Sequence, residues 1–235
     1  MTTQIVLVPG FWLGDWAWAA VVPPLRDRGH DVVALTLPGR APEAPGTAVI
    51  TPQDQADAIL AALDHRADRR VLVVHSGAAI PGTMVIDRAP DLVDHVVWVD
   101  TAPSRDGAAM NAEFTGAALD LADVWQEEFE QGAMRDLTDD QLETFRARAV
   151  PEPGAVVSTA VELRDPRRHD VPGTVVCTSF PASEFRSHAE QGVPFLAALL
   201  DYRALEFVDL PTGHWPMWSR PEQLAEIIDA AAARR

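Results

Sequence analysis

The chain has 235 residues, enough for one sizeable core, and its 47% hydrophobic and 23% charged residues are ordinary for a soluble globular protein. A net charge of -16 argues against nucleic acid and anionic membrane surfaces as partners and leaves a small-molecule substrate open. All 19 Lys/Arg positions are Arg, which rules out lysine chemistry, and the single Cys177 excludes a disulfide framework.

Residues 4–8 form a short apolar run closed by Pro9-Gly10, the pattern of a buried strand and its turn. The start of the chain has no charged segment followed by a long apolar one. No later stretch reaches ~18 apolar residues. A cytoplasmic protein without membrane segments is expected. Apolar positions Trp18, Val21, Val22 and Leu25 predict a helix over 16–28, and 31–35 reads as a second strand closed by Pro38-Gly39. A Pro/Ala/Gly-rich loop follows. Thr51-Pro52 then opens a helix to about 64. Residues 71–75 and 95–99 are the third and fourth strands, separated by a helix over 78–88.

From about 103 to 165 there is no convincing strand, only polar helical pieces such as 139–150, which opens on a Thr138-x-x-Gln141 capping box. Alternation resumes with a strand at 173–178, a helix at 183–200, a strand at 205–210 and a last helix at 221–232, with Ser219-x-x-Glu222 as its box. Strands alternating with helices mean βαβ units and a mostly parallel sheet with helices on both faces. The insertion falls over the carboxyl ends of the strands and reads as a small helical cap on a single domain.

The polar side chains at carboxyl strand ends are Ser76, Asp100 and, in TGHWP, His214. A serine hydroxyl is a weak nucleophile that needs a base, and the base needs a carboxylate to fix its tautomer. Taken alone, Ser76 is equally a nucleophile or a helix N-cap, because VLVVHSGAAIPG lacks the outer glycines of G-x-S-x-G. Val74 is β-branched where strand and helix cross, so a residue opposite must be small; Ala79 is the candidate. His75 is expected to point away by strand alternation. His65, His95, His169 and His188 have no metal-ligand spacing, so no metal is expected.

The order Ser…Asp…His matches the α/β-hydrolase fold, and the chain resembles that superfamily. It is similar in particular to the small-cap group of plant methyl-ester esterases and hydroxynitrile lyases. The resemblance rests on VLVPGFWLGDWAW, GHDVVALTLPG, VVHSGAA, VVWVDTAP and TGHWPMWSRPEQLAEII. It implies that Ser76 attacks, that His214 is the base, and that the backbone N–H groups of Phe11 and Gly77 hold the oxyanion. The usual His-Gly dipeptide is Pro9-Gly10 here, and the carboxylate expected in the VCTxD-like segment is replaced by Phe180. Asp100 is the favoured acid and Glu184 the alternative. Trp12, Trp215 and Trp125 are candidates to line an apolar substrate pocket.

An ester-cleaving serine hydrolase without cofactor is the leading expectation. A lyase of the hydroxynitrile type and a catalytically silent ligand-binding protein are its rivals, and the sequence leaves the oligomeric state open.

Overall fold

A computed structural model describes residues 2–41 and 49–234. The Pro/Ala/Gly-rich loop expected after Gly39 falls mostly at 42–48, outside the described residues. In β1 (Thr3–Val8), Ile5 and Leu7 enter one apolar core and Val6 and Val8 the other. Both faces of the strand are therefore buried, which is why its sequence is continuously apolar rather than alternating.

Trp16–Arg28 is not one helix. A 3₁₀ turn (Asp15–Trp18) precedes α1 (Val22–Asp27), because Pro23 and Pro24 have no N–H to donate into an earlier turn. β2 (Asp31–Ala34) follows, then α2 (Pro52–Ala62), at whose start the Asp54 carboxylate accepts from both the N–H and the hydroxyl of Thr51. β3 (Arg69–His75) leads through a short 3₁₀ turn into α3 (Ala79–Arg88), and β4 (His95–Val99) follows.

The insertion differs from expectation in one respect. β5 (Ala118–Leu119) and β6 (Glu152–Pro153) form a two-residue antiparallel ladder, too short to leave a period in the sequence. Between and after them lie α4 (Leu121–Glu130), α5 (Asp139–Arg148) and α6 (Gly154–Ser158). The Thr138–Gln141 capping box is formed.

β7 (Gly173–Cys177) returns to the sheet. The helix expected over 183–200 stops as α7 (Ala182–Glu190), where Gly192 turns left-handed at φ 79° and Pro194 follows. After β8 (Leu205–Asp209) come α8 (Pro216–Ser219) and α9 (Pro221–Ala233). No Ser219 box caps α9: the Ser219 hydroxyl donates to the Trp215 carbonyl at 3.3 Å and lies 2.7 Å from Thr212 Oγ1.

The sheet order is β2-β1-β3-β4-β7-β8, and among the described residues all its pairings are parallel. Leu25 of α1 and Leu224 and Ile228 of α9 cover one face; Ile59 of α2, Met84 and Val85 of α3 and Phe185 of α7 cover the other. Register places the site. His75 pairs with Val99 and Val99 with Val176, so the chain leaves the sheet at Ser76, at Asp100 and after Cys177 along one edge.

Candidate active site

Ser76 has φ 52°, so the chain makes a sharp, left-handed turn between β3 and α3 that lifts its side chain off the strand end. Such backbone costs on the order of 1–3 kcal/mol for a residue with a Cβ. Among the described residues, four non-glycine positions adopt it, and all four surround this place: Trp12, Ser76, Asp100 and Asp136. Strain is thus concentrated here. A Cβ on Gly10 would lie 2.8 Å from Ser76 Cβ, and one on Gly77 would lie 2.4 Å from the Phe11 ring. Both glycines are therefore demanded by close approach. Room for Val74 is made at Gly82 rather than at Ala79, since a Cβ on Gly82 would come within 2.7 Å of Val74 Cγ1.

His214 Nε2 lies 2.8 Å from Ser76 Oγ, and its Nδ1 lies 2.6 Å from Asp100 Oδ2. With Nδ1–H donating to the carboxylate, Nε2 is left free to accept the serine proton. Asp100 is nearly saturated with donors. Its Oδ1 accepts from the N–H of Thr178 and of Ser179, each at 3.0 Å, and its Oδ2 accepts from Ser179 Oγ at 2.5 Å as well as from His214. Burial would raise the Asp100 pKa, but the His214 contact and the Ser179 bonds outweigh it and hold the carboxyl well below the usual range. Burial likewise works against protonation of His214, yet the Asp100 hydrogen bond and charge carry its pKa above 6.5. Glu184 sits in the first turn of α7 and takes no part in this line.

His75 does not turn away from the site. Its Nε2–H donates to the His214 carbonyl at 2.7 Å, and its Nδ1 accepts from the Gly10 N–H at 3.3 Å. Alternation does set its side chain on the opposite face from the strand residues beside it, but the loops bearing Gly10 and His214 come over the sheet edge to meet it. Full burial, reinforced by the His214 charge, lowers its pKa to about 3, so it is a fixed neutral strut.

The three tryptophans differ in burial and surroundings. Trp215 is 1% exposed and packs between Phe145 and Trp218, so it is core. Trp12, also buried, donates its indole N–H to the Leu119 carbonyl of the insertion at 3.0 Å and faces Phe145. Trp125 is partly exposed and carries the Arg146 guanidinium 3.9 Å above its ring. What the three share is Phe145, the buried aromatic of α5.

A cleft of about 490 Å³ opens on the acid side of the line, where Glu128, Phe180, Phe185 and Phe195 stand beside Asp100 and His214. Burial raises the pKa of Glu128 there. Cys177, pushed up to about 12 by burial, is no nucleophile at neutral pH. Among the described residues, no group of three or more His, Cys, Asp or Glu is placed to hold a metal. Nor is any helix long and apolar enough to cross a membrane.

Two contributors had no signal of their own in the sequence. Ser179 lies in the very segment that lacks the expected carboxylate, and that segment now supplies donors to Asp100 instead of an acid. Arg135 of the insertion donates through Nη2 to the carbonyls of Thr178 at 2.7 Å and Thr212 at 2.5 Å. The neighbouring Ala133 carbonyl accepts from the His214 N–H at 2.7 Å.

Comparison with known proteins bears on the frame that carries these residues. The esterase PIR7B of rice (Oryza sativa subsp. japonica) is 35% identical over 105 residues, 42% of this chain and 38% of that protein. The match thus spans well under half the length of this curated relative. Among solved structures, a pyrethroid hydrolase from Sphingobium faniae superposes with a TM-score of 0.70 at 19% identity, over 99% of this chain and 98% of the other. A methylesterase of Arabidopsis superposes with a TM-score of 0.71 at 14% identity, over 99% of both chains. The alpha/beta hydrolase family model matches residues 5–227, from β1 into α9, and to that family the chain belongs.

Proposed function

We propose that the protein is a serine hydrolase that cleaves a carboxylic ester or related acyl bond of a small, fairly apolar substrate. It is read as one domain, with the 103–165 insertion as a helical cap. The observation that carries this reading is the continuous line of hydrogen bonds from Ser76 Oγ through His214 to Asp100.

His214 Nε2 takes the hydroxyl proton as Ser76 Oγ bonds to the substrate carbonyl carbon. The carbonyl oxygen becomes an oxyanion, held by the N–H groups of Phe11 and Gly77 in a site where fixed dipoles act with little screening. When the tetrahedral centre collapses, the bond to the alcohol breaks and His214 gives the alcohol its proton. Water then repeats the sequence on the acyl-enzyme and frees the acid. Asp100 stays ionised throughout and stabilises the imidazolium. The named activities of the rice esterase, the pyrethroid hydrolase and the Arabidopsis methylesterase are all of this reaction class, which supports the reading.

The test is labelling of Ser76 by a fluorophosphonate probe, together with turnover of p-nitrophenyl acetate. Both are expected in the wild type and absent in Ser76→Ala. A folded wild-type protein that is neither labelled nor active defeats the proposal.

A further inference from the structure

We propose that the buried Arg40–Glu152 ion pair is a positioning device that aims the Phe11 N–H at the oxyanion. This rests on the serine-hydrolase reading above.

Both side chains are 0% exposed. Arg40 Nε lies 2.7 Å from Glu152 Oε2, and its Nη2 donates to Oε1 at 3.1 Å. The other side of the guanidinium grips the loop after β1: Nη1 donates to the Pro9 carbonyl at 2.8 Å and to the Gly10 carbonyl at 2.6 Å. A trans peptide is planar, with its C=O and N–H on opposite edges, so holding a carbonyl fixes where the following amide points. The Pro9 carbonyl is turned to Arg40, and the Gly10 N–H accordingly faces the other way, to His75 Nδ1. The Gly10 carbonyl is turned to Arg40 as well. The Phe11 N–H therefore also faces the other way, and among the described residues no protein group accepts from it.

The same guanidinium stands 5.7 Å from the centre of the Phe11 ring, and a Cβ on Gly77 would come within 2.4 Å of that ring. The Phe11 amide is thus set from Arg40, through the Gly10 carbonyl. Only a planar fork with donors on several edges can hold a carboxylate and two carbonyls at once; a lysine ammonium is a point charge on a flexible stem. Glu152 is in turn fixed by Gln55 Nε2, which donates to Oε1 at 3.0 Å. A buried ion pair is not by itself a source of stability, because desolvation offsets the attraction, and a geometric role accounts for its presence here. Glu152 belongs to β6, so the insertion reaches the oxyanion loop through this pair.

The experiment uses the full chain carrying Arg40→Lys or Glu152→Gln. It measures p-nitrophenyl acetate kinetics, thermal midpoint, and binding of an aryl trifluoromethyl ketone, whose adduct with Ser76 puts an oxyanion at the same position. For Arg40→Lys, kcat is expected to fall about 100-fold while KM stays within about twofold, since misplaced positioning acts on the transition state. Ketone affinity should fall by a similar factor, and the hemiketal ionisation seen by fluorine NMR should move to higher pH. Glu152→Gln keeps the side-chain shape and is expected to shift all three in the same direction by less; it decides the matter if Arg40→Lys does not fold. A folded variant with wild-type kcat, ketone affinity and hemiketal ionisation overturns the positioning role. So does a fall in kcat with unchanged hemiketal ionisation. A wild type that forms no hemiketal and shows no turnover defeats the serine-hydrolase reading first, and the positioning role with it.

Discussion

On the serine-hydrolase reading Asp100 meets two demands, to stay ionised in a nearly closed environment and to hold one imidazole tautomer. Four donors meet the first demand and the 2.6 Å bond to His214 Nδ1 the second. Replacing the carboxylate by an amide keeps the shape but favours the wrong tautomer. Asp100→Asn is therefore expected to lower kcat by about 10⁴-fold, measured on p-nitrophenyl acetate. Ser179→Ala, which removes one charge-assisted bond, should cost about 10-fold, and Glu184→Gln should leave kcat unchanged. The pH profile follows from His214. Its pKa is raised above 6.5, and the base must be unprotonated, so kcat/KM should fall as pH drops through a limb lying above 6.5. Asp100→Asn removes the two largest contributions that raise it, leaving burial against only the weaker Glu128 charge, and the limb should move to lower pH. Ser76, Asp100 and His214 are legible in the sequence because strand ends can be read from apolar runs. Arg40 and Arg135 are not, because they hold carbonyl oxygens, which every residue has and no sequence marks, and the carboxylate that Arg40 also binds lies 112 residues away.

At the scale of elements, long runs with one period are read well and interruptions are read badly. β4 has the same bounds in sequence and structure, and the remaining sheet strands differ by a residue or two at their ends. The helices expected over 16–28 and 183–200 each break where Pro or Gly intervenes, because apolar spacing continues across a point that the backbone cannot. The crossing of β3 and α3 shows what spacing alone leaves open. The sequence points to Ala79 as the residue facing Val74, and the approach geometry selects Gly82 instead. A side chain there overpacks a closed contact. Gly82→Ala is expected to destabilise by about 1–3 kcal/mol in urea unfolding. In a Val74→Ala background the same change should cost much less, so the two substitutions should couple in a double-mutant cycle.

For the molecule as a whole, His75 ties global stability to acid. Its pKa is about 3 when folded, against 6.5 for an ordinary histidine, so in that window the unfolded chain binds the extra proton. Stability contributed by the neutral ring is present above 6.5 and declines as pH falls toward 3. His214, with its raised pKa, has the opposite sign: its contribution is complete below 6.5 and lost as pH rises through its folded value. Wild-type thermal midpoint should therefore fall between pH 6.5 and 4, while His75→Asn should start lower and vary less. A wild-type midpoint flat across that range, or an equally steep variant, would count against a buried neutral His75.

The bonds made by residues 133–135 tie the insertion to the loops of the candidate site. Ala133 holds the amide of His214, and Arg135 holds carbonyls on both the loop that feeds Asp100 and the loop that bears His214. That stretch of the insertion is a keystone rather than a door: lifting it would break the bonds that hold the Asp100 and His214 loops. An engineered chain with 103–165 excised would be expected to lose these bonds, and with them the hydrogen-bond line of Ser76, His214 and Asp100.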